Sequence, residues 1–155
     1  MRFPNEIAKS WVSKAEQETD DFNRFVSLWF AFNALYNEFF FGNERRAIKD
    51  FIDFSRLQIR REALIEIFRD DSSLFFTTRI IRDCRDTGKD TLEDSYKLND
   101  RRSTPKYRLK ALLMILYQVR CNLFHGNKIY HRDSDKEVVR NAANVLLKIL
   151  QAYLN

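Results

Sequence analysis

The chain has 155 residues, a length that fits one domain able to bury a core without disulfide or metal support. Hydrophobic residues make up 45% of it and charged residues 32%, which excludes a disordered chain. The longest purely apolar run, 111–117, is too short to span a membrane, and the N-terminal residues lack the apolar stretch of a signal peptide. We therefore expect a cytoplasmic protein whose two cysteines, Cys84 and Cys121, stay reduced.

Helical spacing of apolar residues runs along the first half of the chain. Only three Gly and two Pro interrupt the whole sequence, which argues against an all-β fold. Asp20 and its neighbours can cap a long second helix with an aromatic stripe, which Gly42 and Asn43 end. The predicted helices of this half cover about 5–17, 20–40, 44–54, 57–68 and 73–82.

The second half of the chain contains the most apolar helix. Residues 83–104 are polar, and we expect a long exposed connection there, with a turn of helix near 92–98. Thr104 can cap the helix that follows, and Pro105 suits its first position because proline has no amide hydrogen to leave unpaired. From Tyr107 to Phe124 this helix is apolar on most sides, so we expect it to be the central, most buried one.

A last helix completes the predicted fold. Ser134 and Glu137 form a capping box, and the helix that they begin should pack antiparallel against the central one. The pattern predicts one all-α domain over residues 1–155, a bundle of four to five main helices plus short ones, with no β-sheet.

The positive charge of the chain is concentrated in one segment. The net charge is +5, but residues 101–132 carry eight Lys or Arg and no Asp or Glu, so this segment is +8 and the remainder −3. A concentrated basic field is typical of a protein that binds RNA or a nucleotide phosphate. The alternative is a solvated basic face.

Arg120 lies within this basic segment and continues the apolar stripe of the central helix. A guanidinium cannot lose its proton, and burying it unpaired costs several kcal/mol. It therefore needs an anion, which is either a carboxylate from another helix or a bound phosphate. The stripe runs at steps of three and four residues through Leu109, Leu113, Leu116, Arg120 and Leu123.

His125 is expected to end the central helix, because Gly126 follows it. The carbonyls of the last turn favour a positive charge there. On a straight helix the five-residue spacing turns His125 away from Arg120, but unwinding of the last turn can bring both side chains around one phosphate. The alternative is that His125 only caps the helix. Cys121 and His125 could share a metal, but the chain has too few further His and Cys for a zinc site, and we predict no metal and no cofactor.

The segment from Val119 to Lys128, VRCNLFHGNK, resembles the Arg-x4–6-His signature of HEPN domains. The helices before and after it agree with that resemblance, and Trp29–Asn37, WFAFNALYN, is similar to an early-helix motif of several HEPN subfamilies. Residues 42–104 match nothing specific. Cys121 stands directly after the arginine, where many members have a polar residue.

The resemblance implies a homodimer of helical bundles in which two Arg–His pairs meet in a cleft. Many HEPN proteins are metal-independent endoribonucleases that act as toxins or as effectors of prokaryotic defence, some with a cognate antitoxin or another protein partner. RNA supplies its own nucleophile, the 2′-hydroxyl, so the protein needs only a proton carrier and a cation. By this likeness Arg120 and His125 are the catalytic residues.

Four further side chains are candidates for contacts to the substrate or to the catalytic pair, namely Asn122, Lys128, Asn33 and Tyr36. For Asn33 and Tyr36 the alternative is that they satisfy each other within the core. Some HEPN proteins have lost activity, so the alternative function is a non-catalytic module that binds nucleotide, RNA or a partner protein. A plain helical oligomerisation domain is a third possibility.

Overall fold

The computed structural model describes residues 3–55, 59–125 and 133–155, in the last range without the side chains of 133 and 134. These residues form eight α-helices, a 3-10 turn (Asn37–Phe39) and no β-strand beyond one isolated bridge between Arg82 and Asp90. The predicted all-α fold is confirmed. The helices are α1 (Pro4–Gln17), α2 (Asp21–Tyr36), α3 (Glu44–Phe54), α4 (Arg61–Arg69), α5 (Asp71–Thr78), α6 (Leu92–Asn99), α7 (Pro105–Phe124) and α8 (Asp133–Leu154).

Local capping signals determine where two of the long helices begin. The Asp20 carboxylate accepts hydrogen bonds from the first amides of α2, at 2.8 Å from that of Phe22. The Thr104 hydroxyl accepts one from the amide of Tyr107 at 3.2 Å, and Pro105 occupies the first position of α7. α8 begins at Asp133, one residue before the predicted cap Ser134, whose side chain lies outside the described residues.

The core is built around the aromatic face of α2 and the apolar surface of α7. Phe25, Trp29, Phe32 and Tyr36 are all buried on α2, with the Phe32 and Tyr36 ring centroids 4.9 Å apart. α7 is buried over most of its length, as predicted. α8 packs chiefly against α2, and α7 packs most extensively against α6, so the contact between α7 and α8 is narrower than the sequence suggested. No helix in the described ranges is long and apolar enough to cross a membrane.

The connection over 83–104 is less exposed than its composition predicts. α6 occupies part of it and packs on α7, with Ser95 and Leu98 buried. Asp83 is also buried, and hydrogen bonds from the side chain and the amide of Arg85 hold the pKa of the Asp83 carboxyl well below its usual range. Asp83 finds its partners inside the segment and the Ser95 hydroxyl finds one on α5, so both can be buried at little cost.

Candidate functional site

The anion that pairs with Arg120 is a carboxylate of the bundle itself. Arg120 Nη1 donates to Glu44 Oε2 at 3.1 Å, and the two side chains remain 23% and 19% exposed. The other carboxylate oxygen of Glu44 accepts a hydrogen bond from the hydroxyl of Tyr36. The chain Tyr36–Glu44–Arg120 thus joins α2, the first residue of α3 and the last turns of α7.

Glu44 carries no functional signal in the sequence. An acidic residue at a helix start is common because the free amides there favour negative charge, so its position alone carried no functional signal. Glu44 and Arg120 are also 76 positions apart, and no periodicity within one helix connects them.

Aromatic rings hold the guanidinium of Arg120 from several sides. Its Cζ lies 4.7 Å from the ring centroid of Phe124, 5.9 Å from that of Tyr117 and 6.0 Å from that of Trp29. Arg120 Nε is buried and makes no hydrogen bond to any described residue. One ion pair and three rings therefore fix the orientation of the guanidinium. Several of its five N–H groups still make no hydrogen bond to a described residue.

Tyr36 supports Glu44 as a permanent hydrogen-bond donor. Burial, and then the hydrogen bond to Glu44, raise the pKa of Tyr36 well above its usual value, while a hydrogen bond with Asn33 acts in the opposite direction. Burial also raises the pKa of the neighbouring Tyr117 to about 12. Both hydroxyls thus stay protonated at neutral pH. Tyr36 and Asn33 are both candidate contacts from the sequence; Tyr36 is fully buried and Asn33, which is half-buried, interacts with its hydroxyl.

His125 ends α7, as predicted, and its side chain is exposed. Its amide donates to the carbonyl of Cys121 at 3.0 Å, so helical hydrogen bonding continues to this residue and the last turn does not unwind before it. At 3.6 residues per turn, five residues separate the directions of Arg120 and His125 by about 140° around the helix axis. No hydrogen bond joins these two described side chains. In a single copy the imidazole and the guanidinium therefore leave different faces of α7.

Comparisons with known proteins add no relative. No family model matches the chain, and no curated protein or solved structure matches it either. The likeness to HEPN domains thus rests on the residues themselves.

Asn122, a candidate for substrate or supporting contacts, is buried and bonded within its own chain. Its side chain is 2% exposed, and its Oδ1 accepts hydrogen bonds from the amide of Cys84 at 3.0 Å and from Gln118 Nε2 at 2.8 Å. Its Nδ2 donates to the carbonyl of Arg82 at 2.7 Å. Because these bonds occupy the amide internally, Asn122 ties α7 to residues 82–84 rather than contacting a ligand.

Lys128, a candidate substrate contact, and Gly126, the expected terminator of α7, lie outside the described residues. Among the residues that the structure does describe, no group of three or more His, Cys, Asp or Glu side chains could hold a metal ion.

Large aromatic side chains are exposed near the candidate pair. Phe124, which covers the guanidinium of Arg120, precedes His125 and is about half exposed. Phe40 and Phe41 lie in the turn that leads from Tyr36 to Glu44, and Phe41 is 88% exposed. Exposed aromatic groups beside charged ones are typical of a surface that binds another protein.

Proposed function

We propose that this chain is a metal-independent endoribonuclease of the HEPN type, with Arg120 and His125 as its catalytic residues. The observation that carries the proposal is that Arg120 and His125 lie at the same end of α7, the guanidinium part-exposed in a fixed orientation and His125 exposed. A toxin or defence role follows from the likeness to HEPN proteins. The location that fits this role is the cytoplasm.

A second copy of the chain is part of the proposal. In one copy the two catalytic groups point about 140° apart, too far around the helix to hold one phosphate. If two copies meet at this end, the guanidinium of one protomer can approach the imidazole of its partner. Phe124, Phe40 and Phe41 would supply the apolar area that such an interface buries.

The reaction requires these two groups, the RNA and a proton donor for the departing oxygen. His125 accepts the proton of the 2′-hydroxyl as its oxygen bonds to phosphorus, and the bond from phosphorus to the 5′-oxygen breaks. The departing 5′-oxygen takes up a proton from a second histidine or from water, leaving a 2′,3′-cyclic phosphate and a 5′-hydroxyl. Arg120 donates to the phosphate oxygens, where negative charge develops.

Incubation of the protein with mixed RNA in EDTA tests this proposal. We expect cleavage that falls by about 100-fold or more in His125→Ala, because a general acid or base contributes about 10²- to 10⁴-fold. We expect a similar loss in Arg120→Lys, which keeps the charge that pairs with Glu44 but loses the planar fork of donors. Product ends are identified by mass spectrometry, and circular dichroism shows that each variant is folded.

Lys9→Ala provides the matched control, since it removes an exposed cation from α1, far along the chain from α7. It should cleave like the unmodified protein. RNA that stays intact with the folded protein at high concentration would overturn the proposal, and so would cleavage that persists unchanged in His125→Ala.

The ion pair of Arg120 with Glu44 favours a second candidate, the non-catalytic module. The cation that a phosphate would approach is already opposed by a carboxylate of its own chain. In this case Arg120, Glu44 and Tyr36 fasten α7 to α3 and α2, and the surface with Phe124, Phe40 and Phe41 binds a protein or RNA partner without cleaving it.

Glu44→Gln distinguishes the two candidates. In the His125→Ala background, we expect it to tighten binding of single-stranded RNA several-fold. The slope of log K against log salt concentration should become steeper by about 0.7, the increment for one added phosphate contact. The amide still offers an oxygen to Tyr36. Fluorescence anisotropy at several salt concentrations measures both quantities.

Glu38→Gln makes the same change of net charge at an exposed position of the 3-10 turn, and it should have a smaller effect. Equal affinity in the two variants would show that Arg120 does not bind the RNA, and it would favour the non-catalytic module.

A further inference from the structure

A groove between α4, α5, α6 and the start of α7 has three arginines in its lining. Arg69 ends α4, Arg101 follows α6, and Arg108 lies in the first turns of α7. The groove encloses a volume of about 240 Å³, and Ile65 and Leu74, neither of them buried, contribute apolar surface to the same walls. We call these three arginines and two apolar residues the arginine pocket.

Arg108 is held rigidly within the arginine pocket. Its Nε donates to the carbonyl of Leu98 at 2.8 Å, and its Cζ lies 4.3 Å from the ring centroid of Phe68. These contacts fix the plane of the guanidinium and use one of its five N–H donors. Burial, and then the charge of Arg101, lower the pKa of Arg108. The positive charge of Arg108 is thus desolvated and opposed by a like charge.

No carboxylate forms an ion pair with the three arginines among the described residues. Asp100 is close enough to act on Arg108, but its oxygens accept hydrogen bonds within its own loop, from the amide of Arg102 and the hydroxyl of Ser103, both at 3.0 Å. Asp70, which follows Arg69, accepts hydrogen bonds from Lys148 and the amide of Ser72. The three guanidinium groups therefore keep N–H donors that no described carboxylate accepts from, although the charge of Asp100 acts on Arg108.

We propose that the arginine pocket binds a small phosphomonoester, with its phosphate on Arg69, Arg101 and Arg108 and its organic group against Ile65 and Leu74. Guanidinium forks match the oxygens of a phosphate, and charge-assisted hydrogen bonds to it are strong. The volume lies just below the range of about 300–1,000 Å³ typical of sites for drug-sized ligands, and it suits a molecule the size of a nucleoside monophosphate.

This proposal is independent of the nuclease proposal. Arg108 and Arg120 are more than three helical turns apart on α7, and the pocket shares no residue with the Tyr36–Glu44–Arg120 chain.

Calorimetric titration of the full chain at low salt tests the site, with AMP as the probe. We expect AMP to bind, and we expect Arg69→Ala and Arg101→Ala each to weaken binding by about tenfold or more, since each removes a charge-assisted hydrogen-bond donor. Both side chains are exposed, so these variants should remain folded. Arg102→Ala removes an equal charge from the same loop, outside the pocket, and should change the affinity by less than about twofold.

Separate titrations with adenosine and with inorganic phosphate distinguish the two halves of the ligand. We expect adenosine not to bind measurably and phosphate to bind more weakly than AMP. No binding of AMP at several millimolar would overturn the proposal, as would equal weakening by Arg102→Ala. Adenosine or phosphate binding as tightly as AMP would overturn the assignment of a phosphomonoester. RNA cleavage in EDTA, measured on Arg69→Ala, should be unchanged whether or not AMP binds.

Discussion

Asn122→Ala is expected to lower the free energy of unfolding by about 3–5 kcal/mol, because each buried polar group left without its partner costs about 1–3 kcal/mol. The substitution removes one partner from the buried side-chain amide of Gln118 and from the part-buried carbonyl of Arg82 and amide of Cys84, so the loss stays below the sum for three fully buried groups. A small cavity at a position that is 2% exposed adds to the loss.

Urea unfolding followed by circular dichroism measures this loss. Asn141→Ala is the matched control, since Asn141 makes one exposed hydrogen bond to the carbonyl of Glu137 within α8, and it should cost less than about 1 kcal/mol. If Asn122→Ala were as stable as the unmodified protein but cleaved RNA poorly, Asn122 would be a substrate contact and the structural role given to it here would be incorrect.

Trp29→Ala is expected to cost about 3–5 kcal/mol, the usual loss when a large aromatic side chain is removed from a core. Trp29 is 1% exposed, and its ring centroid lies 5.3 Å from that of Phe32 and 6.3 Å from that of Tyr117. The indole also forms part of the wall behind the guanidinium of Arg120. The substitution should therefore loosen α2 against α7 and release Arg120 from one of its three rings.

Trp11→Ala is the appropriate comparison, because Trp11 is only half-buried and has an edge contact with Phe30 at 5.0 Å. It should cost clearly less than Trp29→Ala in the same urea experiment. Equal losses in the two variants would contradict the placement of Trp29 at the centre of the bundle.

Helices with strong local signals could be predicted closely from the sequence. α3 has the predicted bounds, and α7 begins after Thr104 and ends at His125, as expected. In each case the signals are a capping side chain or proline at the start and a helical apolar period within the helix, which all lie close together in the chain. The aromatic stripe of α2 is likewise predictable, because its helical period lies within one short segment of the chain.

The partners of the candidate site could not be predicted in this way. The sequence showed that Arg120 requires an anion and left a carboxylate and a phosphate open. Glu44 provides the carboxylate from another helix, and packing of α3 against α7 brings the two together. Asn122 likewise pairs with residues some forty positions earlier in the chain. Such pairings depend on tertiary packing, on which a one-helix pattern carries no information.

The burial of Asp83 and Ser95 in residues 83–104 could not be predicted either, because it also depends on tertiary partners. Asp83 and Ser95 are residue types usually found at the surface, and composition alone assigns them there. Asp83 bonds to Arg85, and Ser95 donates to the carbonyl of Phe76 at 2.8 Å. Burial of this kind becomes predictable only when the hydrogen-bond partners are known.

Because α7 is an unbroken helix, the distance between Arg108 and Arg120 is fixed. The helix contains no glycine and no proline after its first position, so Arg108 and Arg120 are carried on one stiff rod. Twelve residues place them about 18 Å apart along the axis and about 120° apart around it. A mononucleotide is too short to bridge that gap, and a polymer that touched both arginines would have to wrap around the outside of the bundle. If both proposals hold, a small phosphorylated molecule at Arg108 and RNA at Arg120 would not compete for the same surface.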